Sequence, residues 1–325
     1  MLVVCLLAFS AIILLLGCVY SYRVCFYSPH DRSEDPYRPM EGSQYEEAGK
    51  LIFACTQVMD EAPFQWIQTT SFDGLTLYAR YYHHRDGAPV ILMFHGYRSM
   101  ALRDCAGGFN MANRIGFNVI AVDQRGHGRS EGNTISFGVL ERMDCHSWIQ
   151  YAINRFGSDQ IILLSGLSMG AATVLMALDQ PLAKNVVCVM ADCPYSSPEK
   201  IIREVCVRDR HYPAWLVMPF VRIGARLFGK FSLGISNAVD AVKAAQIPIL
   251  LIHGEDDRFV PCDMSREIAA ANPNHIRLET FPNAGHGLCY MSDPVRYQHI
   301  TGEFLRSIEP LRPWLAQASQ GDEQT

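Results

Sequence analysis

The chain has 325 residues, 49% of them apolar, and a formal net charge of −5. That length holds one large domain with an appendage and supplies a substantial core, while the lack of a basic excess argues against nucleic acid as a partner. Its eleven cysteines are scattered, odd in number and without a C-x-x-C pair, so buried free thiols are expected rather than a disulfide framework. Cys145, Cys188 and Cys206 fall in segments that read as core.

From the N-terminus, Met1 to Tyr20 carry no charge and are almost wholly apolar, which meets the roughly 20-residue requirement for crossing a bilayer. Residues 1–22 are therefore expected to form a transmembrane anchor. A cleaved signal peptide would normally begin with a basic stretch, and none precedes this run. Leu15-Leu16-Gly17-Cys18 resembles a lipoprotein cleavage box but lacks the same basic start. Arg23, Arg32 and Arg38 follow the run with nothing basic before it, which leans the rest of the chain towards the cytoplasmic side of the membrane.

Residues 23–62 read as a polar juxtamembrane linker followed by a helix over 46–59. Beyond it, Gln65-Trp66-Ile67-Gln68-Thr69-Thr70 and the run 75–82 flank Asp73-Gly74, a hairpin signal. Short apolar runs at 90–94, 119–122, 161–164, 186–190 and 249–252 predict strands buried on both faces, with a last strand at 276–281. Helical spacing falls between them, around 101–114, 138–156, 171–179, 264–271 and 294–308. This alternation predicts an α/β fold over residues 63–310: a mostly parallel eight-stranded sheet with helices on both faces. The interval 195–240 is longer than one crossover helix needs. It carries the apolar run Trp215-Leu216-Val217-Met218-Pro219-Phe220-Val221 beside Arg208, Arg210, Arg222, Arg226 and Lys230, and is expected to form a helical cap. Residues 311–325 read as a C-terminal tail, frayed after Ala316.

The most informative pattern is Gly166-Leu167-Ser168-Met169-Gly170, set between the apolar run 161–164 and the helical run 171–178. A serine on a strand-to-helix turn is held in a strained conformation with its hydroxyl projecting from the sheet edge, and flanking glycines let strand and helix approach closely. Serine alone is a weak nucleophile and needs a base, which in turn needs an orienting carboxylate. Downstream, Glu255, Asp256 and Asp257 lie in a loop opened by His253-Gly254, and His286 lies in Asn283-Ala284-Gly285-His286-Gly287 after the last strand. The order serine, acid, histidine on successive strand ends points to nucleophilic acyl transfer.

Four motifs carry a resemblance to the α/β-hydrolase superfamily over roughly residues 63–310: Phe94-His95-Gly96-Tyr97, the run 123–130 around Arg125-Gly126-His127-Gly128, the pentapeptide around Ser168, and the run 253–261. The chain is most similar to membrane-anchored bacterial serine hydrolases of the serine-aminopeptidase-like branch. That resemblance implies a catalytic set of Ser168, Asp257 and His286, the acid falling four residues after His253. It also implies an oxyanion hole made by the backbone N–H groups of Met169, at the helix N-terminus where the dipole helps, and Tyr97. Whether the Tyr97 phenol also reaches the site is open at this level. His95, His127 and His253 read as loop-shaping residues, and His83-His84 as a solvated strand end without metal-ligand spacing.

Two near-motifs fail. Gly224 to Lys230 nearly spells a phosphate-binding loop, but Phe231 stands where serine or threonine is required, and Gly126-His127-Gly128 lacks a third glycine. No metal or organic cofactor is expected. The reading is a serine hydrolase of carboxylic esters, lipid-like or small, with an acyl-enzyme intermediate and a small-molecule acyl substrate. Its rivals are a small-peptide peptidase, by family analogy alone, and a non-catalytic binding protein. The cap is expected either to pack on the core with solvated arginines or to lie on an anionic membrane surface.

Overall fold

The computed structural model describes residues 1–29, 35–38, 42, 45–46, 48–208 and 211–321, with backbone only for 317–321. Arg32, among the charges expected after the apolar run, and Arg210 of the expected cap lie outside the described residues.

The first helix, α1 (Leu2–Cys25), is long and apolar enough to cross a membrane by length and composition. It runs past the expected end at residue 22. Its last turns pack into the folded domain: Cys18, Ser21 and Tyr22 are buried, and Phe26 directly after it is wholly buried against the rings of Phe137 and Phe231. Within the stretch expected to be linker, Phe26 and Ser28 are thus buried in the domain, while Arg23 and Val24 are exposed. The Ser28 hydroxyl donates to the Gly126 carbonyl at 2.6 Å, and Tyr27 bridges to Thr134. The next helix, α2 (Gly49–Glu61), begins three residues later than its apolar spacing suggests.

Strands β1 (Gln65–Thr70) and β2 (Thr76–Tyr82) form the expected hairpin, with Gly74 at φ 91° in its turn. There follow β3 (Val90–Phe94), the short helices α3 (Ala101–Asp104) and α4 (Ala106–Arg114), β4 (Asn118–Val122), α5 (Glu141–Phe156), β5 (Ile162–Leu167) and α6 (Met169–Met176). Beyond β6 (Val186–Asp192), three cap helices intervene: α7 (Pro198–Arg208), α8 (Ala214–Leu227) and α9 (Ala238–Val242). The fold closes with β7 (Ile249–Gly254), α10 (Asp263–Ala271), β8 (Ile276–Phe281), α11 (Cys289–Ser292), α12 (Pro294–Ser307) and α13 (Arg312–Gly321). The helix α13 extends past Ala316, where fraying is expected, as far as Gly321, and residues 322–325 lie outside the described residues. The near-phosphate-loop 224–230 is the end of α8 and the turn after it.

The eight strands lie in the order β1-β2-β4-β3-β5-β6-β7-β8, parallel except for β2, which is antiparallel to both neighbours. Along β3, Val90, Leu92 and Phe94 face one apolar layer while Ile91 and Met93 face the other, the two-residue period of a strand covered on both sides. The chain leaves β3 to one side, towards β4, and returns on the other as β5. The C-terminal ends of β3 and β5 therefore meet at the point where strand order reverses, the place where open α/β sheets keep a crevice.

All eleven cysteines are free thiols, and Cys145, Cys188 and Cys206 are buried as their segments suggest.

Candidate active site

Ser168 sits in that crevice, between β5 and α6, with φ 55° and ψ −113°. For a non-glycine residue this backbone is strained, and the surrounding turn holds it there. A Cβ at Gly170 would lie 1.9 Å from the Phe94 carbonyl oxygen, and one at Gly166 would lie 2.3 Å from the Gly170 carbonyl carbon. Only glycine at both positions lets strand and helix close so tightly. The Ser168 N–H donates to the Asp192 carbonyl at 2.8 Å, which ties the turn to β6.

His286, in the loop after β8, brings Nε2 to 2.9 Å from Ser168 Oγ and Nδ1 to 2.7 Å from Asp257 Oδ2. A carboxylate accepts at Nδ1, so that nitrogen carries the proton and Nε2 is left to accept from the serine hydroxyl. Of the three candidate carboxylates, Asp257 alone enters this chain; Glu255 turns to the Thr280 hydroxyl at 2.6 Å, and both Glu255 and Asp256 are exposed.

Asp257 is the most heavily supported side chain of the group. Its Oδ1 accepts from the N–H groups of Phe259 and Val260, both at 2.8 Å, and its Oδ2 lies 3.2 Å from His253 Nε2 as well as 2.7 Å from His286. Burial alone would raise its pKa; the hydrogen bonds with His253 and His286, and their charge when protonated, override it and hold the carboxyl far below the usual range. His253 is fixed in turn. Its Nε2–H donates to the Val260 carbonyl (2.9 Å) and its Nδ1 accepts from the Ser265 hydroxyl (2.7 Å).

The turn after β3 lies against Ser168, where a Cβ at Gly96 would be 3.5 Å from the serine Cβ. Gly96 N–H donates to Asp104 Oδ2 at 2.8 Å and Arg98 N–H to His127 Nε2 at 3.0 Å. Among the described residues, the Tyr97 N–H between them has no acceptor. The Tyr97 phenol does not reach the site. It donates to the Cys25 carbonyl at 2.8 Å, its ring is stacked on Phe137, and burial raises its pKa. Beside it, the Arg98 guanidinium donates to the carbonyls of Val24 and Tyr27, so two side chains of this turn satisfy carbonyls at the end of α1. His95 and His127 serve the loops: His95 Nδ1–H donates to Gly96 O, its Nε2 accepts from Gln124 N–H, and His127 Nδ1–H donates to Arg125 O.

A cavity of about 280 Å³ opens beside Ser168 and His286 and runs between apolar side chains including Met93, Met111, Met190 and Ile252. Three of its residues had no signal in the sequence. Tyr45, from the segment read as linker, donates its hydroxyl to the His286 carbonyl at 3.2 Å. Asp192 lines the same cavity with Oδ1 unpartnered, and burial raises its pKa to about 6. Asp104, which holds Gly96, is also bound by the Ser99 hydroxyl at 2.6 Å. Cys193 Sγ comes within 4.8 Å of ligand-type atoms of Asp257 and His286, but those two residues are already turned to each other.

An eight-stranded sheet in this order, with a strained serine on the turn after its central strand, defines the α/β-hydrolase class. The sequence profile of the alpha/beta hydrolase family matches residues 91–297, and the chain belongs to that family. Among its relatives, the uncharacterised protein YqkD of Bacillus subtilis is 22% identical over 308 residues, 93% of this chain and 97% of that one. The bifunctional esterase/perhydrolase DCH of Acinetobacter calcoaceticus is 26% identical over 266 residues, 67% of this chain and 92% of that one. The esterase Pf2001 of Pyrococcus furiosus has the same fold, with a TM-score of 0.62 at 23% identity, over 76% of this chain and 92% of that one. The chain is a hydrolase by family, with esterases among its relatives.

Proposed function

We propose that this protein is a serine hydrolase of carboxylic esters, with Ser168 as nucleophile, His286 as general base and Asp257 as the orienting acid. The observation that carries the reading is the unbroken hydrogen-bonded line from Ser168 Oγ through His286 to Asp257, at 2.9 and 2.7 Å. As Ser168 attacks the carbonyl carbon of the ester, His286 Nε2 takes its proton and the ionised Asp257 stabilises the imidazolium. The carbonyl oxygen becomes an oxyanion and accepts from the Met169 N–H, one of the helix-start amides without an intrahelical partner, and from the Tyr97 N–H. Collapse of the tetrahedral intermediate breaks the bond to the alcohol oxygen, to which His286 returns the proton, leaving Ser168 acylated. Water, deprotonated by His286, then attacks the acyl carbon, and a second collapse frees the acid and restores the serine hydroxyl.

The cavity supports a small or slender acyl group. Its volume lies just below the ~300–1,000 Å³ usual for small-molecule sites, and its walls are largely apolar. We further propose that α1 is retained as a membrane anchor. The packing of Gly17 against the Phe220 ring, continuous with buried Cys18, supports an uncut helix, and burial of Cys18 leaves its sulfur no room for a lipid.

The test is labelling by a fluorophosphonate together with turnover of acyl esters graded in chain length. Ser168→Ala is expected to abolish labelling and to lower kcat by roughly 10⁴-fold or more. Undiminished ester hydrolysis by that variant would sink the assignment.

A further inference from the structure

The cap helix α8 and the anchor helix α1 pack side by side and run in the same direction. A Cβ at Gly17 would fall 2.6 Å from the Phe220 ring, one at Gly224 would fall 2.7 Å from the Cys18 carbonyl and 3.4 Å from Tyr22, and the Tyr22 and Phe228 rings stand 5.6 Å apart. Residues 17 to 22 are thus level with 220 to 228. One turn further towards the N-terminus of each helix, Trp215 and Leu216 come level with Ile13 and Leu14. That end of α8 is uncovered. Trp215 is 77% exposed, Leu216 49%, and Tyr212 just before the helix 50%, beside the exposed apolar stretch of α1 from Leu2 to Leu16.

The exposed apolar surface of the two helices ends within about one turn of the same level: that of α1 at Leu16, just before the Gly17–Phe220 contact, and that of α8 before Arg222. Residues 1–22 hold no charge and Arg23 is the first; within α8, residues 214–221 hold none, while Arg222 and Arg226 follow. Arg222 is paired with Glu199 at 2.7 Å, so that side of the boundary is built for water. Two parallel helices whose exposed apolar surfaces end within one turn of each other mark a common interfacial zone, and the charged run that opens at Arg208 and precedes Tyr212 suits headgroups rather than acyl chains. Indole and phenol rings are the groups enriched where such a zone meets lipid headgroups.

We propose that Tyr212, Trp215 and Leu216 form a second membrane contact, entering the interface of the same bilayer that α1 spans. Eight residues of α8, from Ala214 to Val221, precede Arg222, a rise of about 12 Å at 1.5 Å per residue, with Ala214, Met218 and Val221 buried on the protein side and Trp215 and Leu216 exposed. A second copy of the chain is a poorer occupant of this patch. It would have to cover the lower turns of α8 without displacing the lipid around α1 alongside. The contact also stands near the site. The Arg208 guanidinium, at the end of α7, donates to the Phe259 carbonyl at 3.2 Å, and the Phe259 ring faces His286 at 5.1 Å while lining the cavity. Esters whose acyl chains reside in the bilayer therefore meet the enzyme beside its cavity.

This inference rests on α1 spanning the membrane, as proposed above, and not on the catalytic assignment. The experiment is tryptophan quenching in the full chain reconstituted in phosphatidylcholine nanodiscs, with Trp215→Phe subtracted to isolate Trp215 from Trp66, Trp148 and Trp314. Lipids brominated on the upper acyl chain are expected to remove most of the Trp215 emission, while aqueous iodide leaves it unchanged. Quenching by iodide with no effect of brominated lipid overturns the contact, and protection from both reagents overturns it in favour of a protein partner. Retention of the chain in vesicles after an alkaline carbonate wash separates the two readings: a chain that washes off fails at α1, one retained with an iodide-accessible Trp215 fails only at α8. Trp215→Asp is expected to slow hydrolysis of a long-chain ester held in vesicles and to spare a water-soluble acetyl ester, which Ser168→Ala would not.

Discussion

At the scale of single residues, the candidate site is held by side chains that lie one step behind Ser168, His286 and Asp257. His253 was legible as a strand-end histidine, but its role depends on Ser265 and Val260, which fix its tautomer so that Nε2–H faces Asp257 Oδ2 at 3.2 Å. Removing it takes away a hydrogen bond to a charged acceptor, worth about 1.5–3 kcal/mol. His253→Asn is therefore expected to lower kcat by about 10- to 100-fold with little change in KM, read by steady-state kinetics on a soluble ester. A pH effect goes with it. A carboxyl whose folded pKa is depressed adds stability that is present above its unfolded value and lost as pH falls towards the folded one. His253 is one cause of that depression, so His253→Asn is expected to move acid unfolding to higher pH, measured by circular dichroism during acid titration.

At the scale of elements, the strands and the three site loops were readable because each is a local pattern. Continuous apolar runs bounded by turns gave the buried strands, and glycine-flanked serine, acid and histidine marked their ends. Residues 23–28 and Tyr45 were not readable, because what fixes them is remote in sequence. Phe26 is core only because Phe137 and Phe231 close around it, and Tyr45 reaches His286 across more than two hundred residues. The same distance hid the bond between the end of α1 and the turn after β3. Carbonyls at a helix end need donors, and here the Tyr97 phenol and the Arg98 guanidinium supply them. Loosening that bond loosens the backbone that presents the Tyr97 N–H. The double variant Tyr97→Phe with Arg98→Ala is expected to lower kcat by roughly 10-fold, part of the loss seen when an oxyanion donor is removed outright, while fluorophosphonate titration still counts every Ser168 as reactive.

At the scale of the whole molecule, the domain does not begin where its hydrolase motifs begin. Residues 1–16 lie outside the packed body, whereas Cys18, Tyr22 and Phe26 are within it. A chain shortened by 16 residues is expected to keep its stability. One shortened by 28 loses two buried aromatic side chains, each worth about 1.5–3 kcal/mol in burial alone, and is expected to unfold at lower urea concentration, followed by tryptophan fluorescence. The paired glycines Gly17 and Gly224 carry a consequence for assembly. They bring the first-synthesised helix against one made about two hundred residues later, so the core layer that holds Tyr22 and Phe26 closes only once the cap has been made. A chain built this way completes one side of its fold late, with its earliest residues held waiting for a partner from the middle of the sequence.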